Sequence, residues 1–198
     1  FDVDAVSKNI GLRDTAGFGS SENIDILTIG GIRDFSSNVE VVKALANDKN
    51  FSLRFVGSGS GATLLAAYIE EHDIKNVSFK GFYQKHEEAG YVQSSTFLNI
   101  FYPRVITHDT ALSNRFYNSL IYRKPMIVTK NTMQGDYAEK YNIGVALTDC
   151  SDLKNALKEF MSQDYNDYAE RCDSLLQEFL NDQERFKELI CEFVRGRL

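Results

Sequence analysis

Six short apolar runs, separated by sequence of helical period, constrain this chain more than any other feature in it. Ile24 to Ile29 ends at Gly30-Gly31, Phe51 to Val56 runs into Gly57-Ser58-Gly59-Ser60-Gly61-Ala62, and Val77 to Phe79 precedes Gly81-Phe82-Tyr83. Thr96 to Ile100, Met126 to Thr129 and Gly144 to Leu147 complete the set. A short apolar run bounded by turn residues reads as a buried strand. Between the runs, apolar residues recur at helical spacing, as in Val39, Val42 and Ala46, or Leu64, Leu65, Tyr68 and Ile69. Further helices are expected at about Lys85 to Gln93, from Ser113, and near Gln134 to Tyr141, with Phe101 to Thr110 irregular. The alternation predicts an α/β fold: a doubly wound, Rossmann-like parallel sheet of about six strands, covered by helices and joined by right-handed crossovers. Ligands of such folds bind at the carboxyl ends of the strands.

The flanks read differently. Residues 1–23 show no sustained periodicity, and Thr15 to Ser21 has the composition of a linker or surface loop. The opening Phe1-Asp2-Val3-Asp4 reads as mid-chain sequence, so 1–23 is expected to be a linker or the remnant of an amino-terminal domain. Residues 24–150 form the sheet domain. Across 151–198, Tyr165, Tyr168, Cys172, Leu175, Phe179, Phe186, Ile190 and Phe193 follow steps of three, four and seven. That stripe predicts additional carboxy-terminal helices, broken near Asn181-Asp182, that pack on the sheet domain; the other reading is that part of the stripe packs on a missing domain.

A net charge of −6 argues against a nucleic-acid partner, which selects for basic surface. Cys150, Cys172 and Cys191 are odd in number and include no C-x-x-C pair, which fits a reducing compartment and frames neither disulfides nor zinc. His72, His86 and His108 lack metal-ligand spacing, so no metal site is expected. Ser20 and Ser21 are not in a nucleophile elbow. No apolar run reaches the roughly 20 residues that span a bilayer.

The stretch from Ser113 to Val128 carries the strongest functional signal. Ser113 or Asn114 can cap a helix that stops before Lys124-Pro125, because proline lacks an N–H and pushes its predecessor out of helical geometry. The open N–H groups and positive dipole end at the start of that helix suit a phosphate. Gly30-Gly31 lets a ligand approach the backbone, and Arg33 offers a planar fork of donors on the same sheet edge. Gly57-x-Gly59-x-x-Ala62 matches the permissive dinucleotide fingerprint, but the acid that would hold the ribose is absent at Phe79-Lys80. It reads first as a turn of close approach. His108-Asp109 reads first as a surface polar pair.

With these residues in place, Ile24 to Leu147 resembles the carboxy-terminal, nucleotide-sugar-binding domain of GT-B glycosyltransferases, most of all the group that builds bacterial surface polysaccharides. The likeness lies in Ile26 to Arg33, Leu53 to Gly59, Val77 to Phe82, and above all Leu112 to Leu120 with Lys124-Pro125-Met126-Ile127-Val128. The resemblance implies that Gly30, Gly31 and Arg33 approach the donor's diphosphate. It implies that the N–H groups at Ser113 and Asn114 receive phosphate oxygens, with Arg33 and Arg115 as the cations that stabilise the departing charge. Gly57 lies near the donor, and Gly81 and Phe82 lie beside the nucleobase. Asn118 stands where the family has a ribose-binding glutamate, and Thr110, next to Asp109, where it has an acid on the sugar. Arg123 replaces the usual small residue before Lys-Pro.

The resemblance further implies a cytoplasmic enzyme working at the inner membrane face on a cell-surface polysaccharide or glycolipid acceptor, without cofactor or bound metal. An amino-terminal GT-B domain would supply most of the acceptor site, leaving this chain to bind donor without turnover. Two other readings stay open: an NAD(P)-dependent oxidoreductase domain using the Gly57 turn, and a non-catalytic GT-B-like domain kept for partner binding.

Overall fold

The computed structural model describes residues 2–11, 17–18 and 23–196. After a helix α1 (Val3–Asn9), the described chain alternates as the sequence predicts: β1 (Ile24–Gly31), α2 (Phe35–Leu45), β2 (Phe51–Ser58), α3 (Ser60–Glu71) and β3 (Val77–Lys80). A 3₁₀ turn at Lys85–Glu87 leads into α4 (Glu88–Gln93), then β4 (Phe97–Ile100), α5 (Ile106–Asp109), α6 (Asn114–Ile121), β5 (Met126–Thr129), α7 (Met133–Tyr141), β6 (Gly144–Leu147), α8 (Leu153–Met161) and α9 (Tyr165–Val194).

The strands form one parallel sheet in the order β3-β2-β1-β4-β5-β6. Every residue of β4 and β5 is buried, as expected of central parallel strands covered on both faces. The order reverses between β1 and β4, which pair only at Ile26 with Phe97 and Leu27 with Leu98. Beyond those pairs the strand ends leave a crevice, the switch point where ligands of this architecture bind.

The segment 101–110 read as irregular carries the one-turn helix α5, too short to show a period; three further departures from the sequence reading have physical reasons. First, β1 and β2 continue through Gly31 and Ser58, so their glycines belong to the strand ends rather than to turns after them. Second, a helix stands in the segment read as aperiodic. Asp2 caps α1 through the Ala5 N–H, and Val6 is buried against the core, too short a pattern to register as a period. The linker reading of 15–21 falls mostly outside the described residues, as do Ser20 and Ser21. Phe18 is described, and its ring packs 5.1 Å from Tyr165 and 5.2 Å from Tyr168.

Third, α9 runs for 30 residues without a break at Asn181-Asp182. Its strong helix formers on either side, with the Gln177 amide donating to Asn181 Oδ1 at 3.1 Å, outweigh the two turn-favouring residues. Nor does its apolar stripe pack throughout. Tyr168, Cys172 and Leu175 are fully buried, whereas Phe186, Ile190 and Phe193 are exposed.

Candidate functional site

At the switch point the carboxyl ends of β1 and β4, the start of α6 and the segment around α4 enclose a cavity of about 330 Å³. Helix α6 supplies its anion-receptive wall. Ser113 caps the helix by accepting the Phe116 N–H. Its own N–H and hydroxyl both donate to Gln134 Oε1, at 3.1 and 2.7 Å, from buried Gln134 on α7. The cap is thereby fixed by a neighbouring helix. Among the described residues the N–H groups of Asn114 and Arg115 have no hydrogen-bond partner, as the first turn of a helix dictates.

Two arginines add positive charge. Arg33 follows β1 and is exposed, with no ion pair among the described residues. Arg115 is 7% exposed, and its guanidinium donates to the carbonyls of Ile29, of Asn99 at 3.3 Å and of Gly31 at 2.8 Å. It lies 5.6 Å from the centre of the Tyr102 ring. One side chain thus ties the diverging ends of β1 and β4 together and leaves a cation at their junction.

The opposite wall is acidic and aromatic. Glu88, in the first turn of α4, receives the Asn118 amide at 2.6 Å on one oxygen. Its other oxygen receives the Tyr83 hydroxyl at 3.1 Å and the Lys85 ammonium at 3.0 Å. Burial alone pushes the Glu88 carboxyl up, but the bonds from Lys85, Asn118 and Tyr83 outweigh it and hold the group below the ordinary glutamate range. Burial, reinforced by that carboxylate, pushes the Tyr83 phenol up to about 12. His108 joins the lining with its ring tilted against Tyr102 at 4.9 Å and Nδ1 3.1 Å from the Pro103 carbonyl. A second cavity of about 470 Å³ adjoins the first through Gly30, Gly31 and Tyr83, and is rimmed by Gly57 and Phe82. Phe82 is 77% exposed there.

No protein-family model matches the sequence, and no curated protein matches it. Solved structures do match the fold. HepE from Anabaena, in complex with UDP-glucose, gives a TM-score of 0.68 at 13% identity, over 97% of this chain and 54% of HepE. AviGT4, a glycosyltransferase involved in avilamycin A biosynthesis, gives 0.65 at 12% identity over 92% of this chain and 54% of its own. The lipopolysaccharide outer core galactosyltransferase WaaB gives 0.57 at 18% identity over 75% and 44%. This chain has the fold of a GT-B glycosyltransferase half-domain. It spans about half the length of HepE and AviGT4.

The fold brings together Gly30, Gly31, Arg33, Ser113, Asn114, Arg115 and Asn118 around the first cavity, and Gly57 and Phe82 around the second. It does not bring in three of the residues expected there. Asp109 is paired with Arg104 at 2.8 and 3.0 Å, Thr110 donates to the Ile106 carbonyl at 2.8 Å, and Gly81 lines neither cavity. The donors open to an anion are the N–H groups of Asn114 and Arg115, since Gln134 holds that of Ser113. Sequence reasoning missed Glu88, Tyr83, Tyr102 and Gln134. Only the polar cluster Gln84-Lys85-His86-Glu87-Glu88 marks the first of these, and nothing local says which acid turns inward.

The glycines of the Gly57 turn in this half-domain are needed by the protein itself. A Cβ on Gly57 would stand 2.1 Å from the Gly30 carbonyl oxygen, and one on Gly59 2.3 Å from that of Ile32. Their small size serves the packing of β2 and α3 on β1, as the reading of a turn of close approach expects. Among the described residues no group of three or more His, Cys, Asp or Glu could hold a metal ion, and no helix is long and apolar enough to cross a membrane.

Proposed function

We propose that this chain is the donor-binding half of a glycosyltransferase that uses a nucleotide-diphosphate sugar. The observation that carries the reading is the meeting of the open start of α6 with Arg33 and Arg115 at the β1/β4 switch point. The helix start and Arg115 are held in place and Arg33 is an exposed cation beside them, where a diphosphate's charge would lie, and the adjoining glycine-floored cavity with exposed Phe82 suits a base. In the reaction the bond from the sugar's anomeric carbon to the β-phosphate oxygen breaks, and a new bond forms to an acceptor hydroxyl. The negative charge released on the nucleoside diphosphate is stabilised by Arg33 and the Asn114 and Arg115 N–H groups, already in place before the bond breaks. The acceptor's proton leaves to a group outside this half.

A second GT-B domain, amino-terminal to this one, supplies the acceptor site in this reading. The twofold length of HepE and AviGT4 and the exposed apolar end of α9 support it. A cell-surface glycan or lipid-linked acceptor, reached from the cytoplasmic face of the membrane by peripheral association, is part of the same proposal. Uridine diphosphate is the first ligand to try, because HepE was solved with UDP-glucose. Calorimetry should detect UDP binding and none of NAD; the reverse would sink the proposal. Arg33→Ala should weaken UDP by about 10- to 100-fold, the scale of a charge-assisted contact, and leave uridine unchanged. Equal losses for both would remove Arg33 from the phosphate site.

A further inference from the structure

The first cavity is bipolar, and that asymmetry points to a specific role for one of its residues. At one end are Arg33, with Asp34 next to it in sequence, the Arg115 guanidinium and two open N–H groups. At the other is the Glu88 carboxylate, whose side chain is only 12% exposed. A ligand that were anionic throughout would be drawn to the first end and repelled by the second. One that carries hydroxyl donors beyond its anionic part would satisfy both.

Glu88 is built to accept. A carboxylate has about four lone-pair positions. Here three are engaged, by the Asn118 amide, the Tyr83 hydroxyl and the Lys85 ammonium. The group lines the cavity, and with Asn118 it also lines a neighbouring hollow bounded by Gln84, Lys85 and Tyr122, so it keeps accepting capacity at the cavity wall. Its position in sequence of contacts is equally informative. Tyr83, which donates to Glu88 at 3.1 Å, lines both cavities, so Glu88 lies one hydrogen bond from the passage between them. In a nucleoside diphosphate, the part that occupies such a passage is the ribose, with two adjacent hydroxyls.

We infer that Glu88, carried on α4 and oriented by Asn118, is the carboxylate that receives the ribose hydroxyls of the donor. The inference rests on the donor-binding reading above and assigns to it a residue on a different element from the one the family resemblance pointed to. Asn118 acts here as a positioning residue: its Nδ2 fixes Glu88, and its Oδ1 has no partner among the described residues. An acid at 118 would put a second negative charge against Glu88, so an amide is what this arrangement requires.

The test compares UDP with 2′,3′-dideoxyuridine diphosphate by calorimetry on the wild-type chain, Glu88→Gln and Arg33→Ala, with thermal melts to show that each variant is folded. The wild type should bind UDP about 10- to 100-fold more tightly than the dideoxy compound, the range for hydrogen bonds to a charged group. Glu88→Gln should shrink that ratio to a few-fold without weakening the dideoxy compound, from which it removes a repelling charge; Arg33→Ala should weaken both ligands and preserve the ratio. Asn118→Ala should shrink the ratio in part. If Glu88→Gln weakens both ligands equally, or the wild type does not discriminate, the Glu88 assignment is overturned and the donor reading stands. If the wild type binds neither diphosphate, the donor reading itself fails and takes the assignment with it.

Discussion

Arg123 occupies a backbone position that glycine usually fills. Its φ of 50° places it in the left-handed region just past α6, where the Arg123 N–H reaches the Leu120 carbonyl at 3.2 Å and the Lys124 N–H reaches that of Ser119 at 2.9 Å. This closes the helix as a Schellman turn, at a cost of about 1 kcal/mol for a non-glycine residue. The side chain offsets that cost. It is buried and donates to the Asn9 carbonyl at 2.6 Å and to Asp173 at 2.5 Å, joining α1 and α9 to the end of α6. Breaking a buried pair costs about 3–5 kcal/mol, reduced here because Asp173 also accepts the Gly11 N–H. Arg123→Gly should therefore lower stability by about 1–3 kcal/mol in urea unfolding despite relieving the backbone. A gain in stability would show that the turn, not the ion pair, sets the balance.

The thiols make a second test at this scale. Burial pushes Cys172 up to about 12, and burial with nearby Glu40 and Asp149 does the same to Cys150. Both therefore stay protonated at pH 8, and the thiolate is the reactive form. Cys191 is exposed. A thiol reagent at pH 8 should modify one cysteine quickly and the other two only after unfolding; rapid reaction of two or three would contradict the packing of α8 and α9.

Among the elements, the joint between β1 and β2 is the least tolerant. Gly57 has φ 128° and faces the Gly30 carbonyl with no room for a Cβ. Gly57→Ala combines backbone strain with a backbone clash, and should lower stability by about 2–4 kcal/mol by denaturant unfolding. A loss below about 1 kcal/mol would mean that the strand end shifts freely. Element identity was legible in the sequence because it is written locally. The apolar runs and their turn residues locate all the strands, and Ser113 and Pro125 bracket α6. What is not written locally was not legible. Glu88 and Asn118 lie 30 positions apart and meet only because α4 and α6 flank the same crevice. The Gln134 contact that fixes Ser113 crosses between helices in the same way. Asp109 looked available by position, but an arginine five residues earlier in the same loop already holds it.

At the level of the whole molecule, α9 is two things end to end. Thirty residues make a rod of about 45 Å, and its buried residues, Tyr168, Ala169, Cys172, Leu175 and Leu176, all lie in its first half. In the second half Phe186 and Phe193 are 62% and 69% exposed, an apolar stripe that the described residues leave uncovered. Replacing both by serine should leave the melting temperature of this chain within about 1 °C in a thermal melt, because neither touches its core. A large drop in melting temperature would show that the stripe already packs within the chain.

Arg115 also has a consequence for how such a molecule could change. Because β1 and β4 share only two residue pairs, the gap beyond them is spanned by side chains: Arg115 reaches the carbonyls of both strands, and the Asn99 amide donates to Thr28 Oγ1 at 3.0 Å. Substitutions at position 115 could widen or narrow that gap without rewriting a single strand, so ligand size can drift during evolution, or be dialled by an engineer, while the scaffold stays unchanged.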